Sequence, residues 1–249
     1  NSNTEYTVRH HFQNILDDAY DADTAMLSET LSGTTDTLTA AAAKTVAGFT
    51  AQSFQQKNIA GDGSTVVDIY YNRNSYGVSY RYLNTPAGAS ALPAGASYRF
   101  GAAVTVAEAA TAPGYTFSGW STGDFTMPAQ DVEITGSFTA NPYNVTVEYY
   151  FDKVQDTDMT RVQSVTYGET FTTAAAAETD RNGVHYTLDW VENNGLTVSD
   201  IEADNVVRVY YAKDEEGGPD DIPDYAQIVF TYQSADVRKG TVDKSVEIH

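Results

Sequence analysis

Four histidines, 34 acidic side chains and several tyrosine pairs are the residues of this chain that could do chemistry. His10 and His11 are neighbours in an extended run, so their side chains point to opposite faces and cannot share a metal. They read as strand-surface residues. No His-Glu-x-x-His pattern is present, and without cysteine no thiolate zinc site can form. His185, beside Tyr186, reads as a partly buried packing residue. A Gly-x-Ser-x-Gly elbow is absent, and a Ser-His-Asp triad is a spatial arrangement that spacing does not test. The expectation is a chain with no catalytic residue, no metal and no cofactor.

Two acidic stretches, residues 17–23 and 152–158, supply the oxygens that calcium prefers. Neither follows the D-x-D-x-D-G pattern with a glutamate at position twelve. Solvated hairpin tips are therefore favoured over ion sites. Carboxylate pairs are plentiful, but glycosidase chemistry needs a cleft around them. Tyrosine is more informative. In the pairs Tyr70/Tyr71, Tyr149/Tyr150 and Tyr210/Tyr211 strand alternation sends one member outward. Tyr70, Tyr80, Tyr150 and Tyr210 are the exposed aromatic candidates for holding a sugar or a protein. The competing reading has them packing on a neighbouring module or covering a sheet.

The elements that must position these rings are strands. Eighteen tyrosines, with many valines and threonines, favour extended backbone. The formal charge of −20 leaves too little Lys and Arg to bind nucleic acid or an anionic membrane. No apolar run approaches the ~18 residues of a membrane span, so no membrane insertion is expected within these residues. A secreted protein would carry its signal peptide and anchor outside them. With no cysteine, the disulfide-stapled class of small secreted modules is excluded.

An internal repeat organises the chain. Gly114-Tyr-Thr-Phe-Ser-Gly-Trp120 and residues 131–138 have counterparts upstream (Gly48-Phe-Thr-Ala-Gln-Ser-Phe54, then 66–71) and downstream (Gly183 to Trp190, then 206–211). Tyr6, Tyr76 and Tyr143 open the three copies. Gly33, Gly101 and Gly168 fall at matching points ahead of alanine-rich segments, of which residues 40–44 suit a short helix ended at Gly48. Val67, Ile69 and Tyr71 match Val207, Val209 and Tyr211, as well as Ile134 and Phe138, so each copy has one buried face. The expected order is strand, strand, short helix, strand, strand. This gives modules at 4–74, 75–141 and 142–213, an acidic Gly/Pro linker at 214–224, and the start of a truncated fourth module at 225–249. Joints of a few residues suggest a stiff, elongated rod, and a monomer is expected.

Residues 98–106, Ala112-Pro-Gly-Tyr-Thr-Phe-Ser-Gly-Trp120 and residues 127–138 resemble the Listeria–Bacteroides repeat, the internalin B-repeat type found in tandem in bacterial surface proteins. The flanking copies, opening Tyr6-Thr-Val-Arg-His-His and Tyr143-Asn-Val-Thr-Val-Glu-Tyr-Tyr, are similar to mucin-binding-protein repeats. The resemblance implies α+β, strand-dominated, β-grasp (ubiquitin-like) modules on the surface of a Gram-positive bacterium, with no catalytic residue carried over. It implies the non-catalytic stalk of a cell-wall adhesin whose candidate partners are host glycans, mucin or a matrix protein. The alternative is an accessory region of a large secreted or wall-associated enzyme whose catalytic domain lies elsewhere.

Overall fold

The computed structural model describes residues 2–20, 26–213, 228–232 and 244–248. The first repeat consists of β1 (Thr4–Phe12), β2 (Met26–Gly33), β3 (Phe49–Ala51) and β4 (Val66–Arg73), in sheet order β2-β1-β4-β3. The second has β5 (Ser75–Tyr82), β6 (Ala96–Arg99), β7 (Ala103–Val104), β8 (Tyr115–Trp120), β9 (Phe125–Thr126) and β10 (Val132–Ala140), with main-sheet order β6-β5-β10-β8. The third has β11 (Pro142–Phe151), β12 (Val154–Thr166), β13 (Thr170–Phe171), β14 (Glu178–Arg181), β15 (Val184–Glu192), β16 (Leu196–Thr197) and β17 (Val206–Lys213). Its order, β12-β11-β17-β15-β14, is the same with one strand added. Beyond it β18 (Ile228–Tyr232) pairs with β19 (Lys244–Ile248). The expected linker at 214–224 and the rest of the expected fourth module lie outside the described residues.

Every repeat begins with an antiparallel hairpin and sets its opening strand parallel to its closing strand. Parallel neighbours need a crossover between them. Here the crossover carries a small second ladder, β7 with β9 and β13 with β16, reduced in the first repeat to the bridge Leu38–Asn58. Three separate apolar clusters result. Tyr6, Val8, Ile59, Val67, Ile69 and Tyr71 make the first, and Val78, Val104, Met127 and Ile134 the second. Val145, Val147, Val198, Val207, Val209 and Tyr211 lead the third. The chain divides into two compact units, Asn1–Ala112 with Phe117–Thr139, and Pro113–Thr116 with Ala140–His249. The first unit holds two of these clusters and the second unit one.

The alanine-rich segments depart from expectation. Residues 40–44 form no helix, and the 3-10 turn Glu202–Asp204 is the only helical element among the described residues. Five residues cannot meet the cost of helix nucleation on propensity alone. Side chains take their backbone groups instead. Ala40 N–H donates to Tyr6 Oη at 3.1 Å and Lys44 N–H to Tyr71 Oη at 2.8 Å, while Gln56 pairs with both polar groups of Ala41. Tyr80 Oη accepts from Ala107 N–H at 3.0 Å, and Tyr211 Oη donates to Ala176 O at 2.9 Å. A core tyrosine thus pins the crossover in each repeat.

The glycine alignment also shifts. Asp36, Gly101 and Gly168 donate their N–H groups to Ile59, Met127 and Val198, and all three have positive φ. Asp36, and not Gly33, is therefore the counterpart of the two glycines. Gly33 serves packing: a Cβ there would stand 2.4 Å from Ile59.

Candidate functional site

The outer face of the third repeat's sheet presents two cross-strand rows. Glu148, Arg208 and Glu192 lie side by side on β11, β17 and β15, and Tyr150, Tyr210 and Trp190 form the next row. Alternation places Tyr150 and Tyr210 outward because Tyr149 and Tyr211 are buried. Trp190 arrives differently. Strict alternation from Tyr186 and Leu188 would turn it inward, but the register slips between Leu188 and Trp190. This bulge at Asp189 restarts the alternation and sets Trp190 beside Tyr210.

The rings stack. Tyr150 and Tyr210 have centroids 4.9 Å apart, and Tyr210 and Trp190 are 4.7 Å apart at an interplanar angle of 7°. Tyr210 is enclosed between two rings, so neither of its faces can receive a sugar. Trp190, 49% exposed, lies past the end of β14's pairing with β15, and among the described residues Tyr210 is the ring that stacks on it. It is the ring of the row best placed to receive a ligand's apolar face.

The charged row braces the rings. Tyr150 Oη donates to Glu148 Oε2 at 2.9 Å and Tyr210 Oη to Glu192 Oε2 at 3.2 Å. Arg208 reaches both carboxylates, with Nε at 2.9 Å and Nη1 at 3.3 Å. Burial raises the Tyr150 and Tyr210 hydroxyls above the usual phenol range, and the neighbouring glutamates add to it. Burial opposes the charge on Arg208, yet its bonds to Tyr150, Glu192 and Glu148 leave its pKa raised. The result is a held, hydrogen-bonded surface of rings and carboxylates with net negative charge.

The first repeat carries a shorter version. Tyr70, 39% exposed, stacks on His11 at 4.7 Å and meets Tyr20 edge-on at 5.2 Å. Gln52 donates to Tyr20 Oη and to Asn72 Oδ1, each at 2.8 Å. Tyr80 differs from the expected outward ring. It packs on the second repeat's core with Tyr76, meets Trp120 at 5.0 Å and spends its hydroxyl on Ala107, because Val78 and Tyr82 on the same parity face the core.

Two histidine expectations are corrected. His10 is fully buried, with Nδ1 2.7 Å from Tyr71 Oη and Nε2 3.0 Å from Glu29 Oε1. An ionised glutamate only accepts, so Nε2 carries the proton and Nδ1 can accept from Tyr71. This arrangement satisfies a buried ring. His11, on the opposite face, takes Asp68 at 2.8 Å. His185 is exposed where packing was expected, because the two-residue Asn182-Gly183 turn, both at positive φ, carries it to a hairpin end beside Asp180.

The acidic stretches are partly structural. Asp18 bonds Arg73 and Arg99, and Asp156 bonds Arg181. Residues 21–23 of the first stretch lie outside the described residues. The second is no loop: a two-residue turn at Asp152-Lys153, both at positive φ, starts β12 at Val154. Among the described residues no three His, Asp or Glu side chains gather as a metal site.

Residues 82–142, most of the second repeat, match the family described as the divergent InlB B-repeat domain. This is the internalin B-repeat likeness read from the Gly114–Trp120 segment. No curated protein matches the chain. Among solved structures, Streptococcal High Identity Repeats in Tandem (SHIRT) domains 3-4 from a cell surface protein align at 16% identity. That alignment covers 55% of this chain and 98% of the other, with a TM-score of 0.29. No helix among the described residues is long and apolar enough to cross a membrane.

Proposed function

We propose that this chain is a non-catalytic repeat region of a bacterial cell-surface adhesin, serving as a spacer and as a weak binder of glycan or glycoprotein. The observation that carries the proposal is the repetition itself: three copies of one sheet order, each over its own apolar cluster, joined by single residues. The InlB B-repeat match in the middle copy supports the same reading. We read the modules as β-grasp-like, since a hairpin, a crossover and a closing strand parallel to the first is that fold's plan. A side-chain-pinned extended segment replaces the helix. Mucin is a candidate partner because of the flanking copies' likeness to mucin-binding repeats.

A spacer works by adding repeats. With the chain placed between a wall anchor and an epitope head on a bacterial surface, deletion of residues 75–141 should reduce antibody access to the head. Unchanged access would remove the spacer role. Weak binding belongs to the exposed ring of Trp190. Trp190→Ala should abolish reproducible binding of the full chain to an immobilised mucin glycoprotein while leaving the circular dichroism spectrum unchanged. Many weak contacts of this sort gain strength through avidity.

A further inference from the structure

One residue, Asn74, stands between β4 and β5, and one residue, Asn141, between β10 and β11. Both asparagines are held in the same way. Asn74 N–H donates to Gly48 O at 2.8 Å, its carbonyl accepts from Phe100 N–H at 2.8 Å, and its Oδ1 accepts from Thr50 Oγ1 at 2.7 Å. Inside the second unit, Asn141 donates to Gly114 O at 2.9 Å. It accepts from Tyr167 N–H at 2.9 Å and from Thr116 Oγ1 at 2.6 Å. Gly48 and Gly114 have φ of +82° and +74°, and a Cβ on either would lie 2.4 Å from the ring of Phe100 or Tyr167. Only glycine accepts both the conformation and the contact. The residue after each glycine closes on the same ring edge-to-face, Phe49 on Phe100 at 5.5 Å and Tyr115 on Tyr167 at 5.4 Å.

We propose that the Gly-aromatic-Thr segment, the joint asparagine and the aromatic-Gly pair form a repeat-to-repeat clamp. Its partner is another repeat that presents an aromatic ring ahead of a left-handed glycine. Phe100-Gly101 and Tyr167-Gly168 are such pairs, with φ of +80° and +77° at the glycines.

The two incomplete copies show where clamping stops. In the first repeat the residue before Asp36 is Thr35, which bonds Thr4 Oγ1 at 2.8 Å and offers no ring. In the third, Tyr186 opposes Lys213 as Phe49 opposes Arg73, so His185, and not the Gly183 expected from the sequence, takes the glycine's place. Thr187, the counterpart of Thr50 and Thr116, keeps a buried hydroxyl oxygen with no hydrogen-bond partner. The first repeat therefore only grips, the second grips and is gripped, and the third is only gripped.

The clamp supplies a joint for the spacer proposed above. Its test reads the joint alone, so failure of the clamp and failure of the spacer are distinguishable. The measurement is amide hydrogen exchange on the full chain. Phe100→Ala should lower protection of the Asn74 amide at least tenfold while Val8 and Ile134 keep wild-type protection. Phe100→Tyr, the ring found at Tyr167, should preserve the wild-type pattern. Gly48→Ala keeps the ring but fills its seat, and should reproduce the loss at Asn74 if Phe100→Ala folds poorly. Unchanged protection at Asn74 in both variants would overturn the clamp. An equal loss at Val8 and Ile134 would also overturn it, because Phe100 would then be an ordinary core residue.

Discussion

Tyrosine hydroxyls do structural work in all three repeats, and their partners set what each is worth. Tyr71 Oη serves both Lys44 N–H and His10 Nδ1 in a buried setting, whereas Tyr211 Oη serves Ala176 O alone. Tyr71→Phe leaves two polar groups unpaired and should cost about 2–3 kcal/mol, against about 1 kcal/mol for Tyr211→Phe. Denaturant unfolding of the two variants checks the order. Glu29 is a second residue with a readable consequence. The hydrogen bond from Lys44, then that from His10, holds its pKa below the usual 4.5. A carboxylate with a lowered folded pKa stabilises above its unfolded value, and that stability is lost as pH falls through the folded one. Glu29→Gln should therefore destabilise at pH 7, and the difference from wild type should vanish in acid below the lowered pKa. A difference that persists there would assign the loss to packing.

At the scale of elements, one irregularity decides what the third sheet displays. The bulge at Asp189 turns Trp190 from the core parity to the tyrosine row. Deleting Asp189 should restore plain alternation and keep the indole outward, because Leu188 and Trp190 would then be direct neighbours opposite Tyr211 and Tyr210. In a Trp120→Phe background, Trp190 emission should keep its wild-type wavelength; a shift to shorter wavelength would show that the strand slips by one residue and buries the ring. The closing hairpins permit a paired comparison. Thr50→Val removes a bond to Asn74 and should cost about 0.5–1 kcal/mol, while Thr187→Val removes an unpaired buried hydroxyl and should be neutral or stabilising. Thermal melts of the two variants would show the contrast.

Over the whole molecule, charge is the dominant long-range property. Thirty-four acidic against fourteen basic residues give −20, and such an excess repels itself in any folded state. Added salt screens that repulsion beyond about a Debye length, ~10 Å at 0.1 M. It also weakens surface pairs such as Arg81–Glu133, which are worth little when exposed. The melting temperature should therefore rise with sodium chloride. A fall would mean that local pairs, those of Asp18 among them, outweigh the global term.

Period-two patterns were readable without coordinates wherever strands are regular, because the pleat maps sequence parity directly onto burial. Val67, Ile69 and Tyr71, and Val207, Val209 and Tyr211, are buried as that parity requires. The outward ring partners Tyr70, Tyr150 and Tyr210 follow from it. What parity could not supply are places where distant residues interrupt a local rule. Alanine propensity pointed to a helix at 40–44, but hydroxyls from Tyr6 and Tyr71 claimed its amides. A bulge moved Trp190, and burial of His10 depended on Tyr71 and Glu29 across the sheet. The clamp was likewise legible only as scattered letters, since Gly48 acquires its meaning from a ring fifty-two positions away, at Phe100. Local composition and spacing determined strands, repeats and charge; tertiary structure alone decided which side chains meet, because contact depends on register across strands that the chain order does not encode.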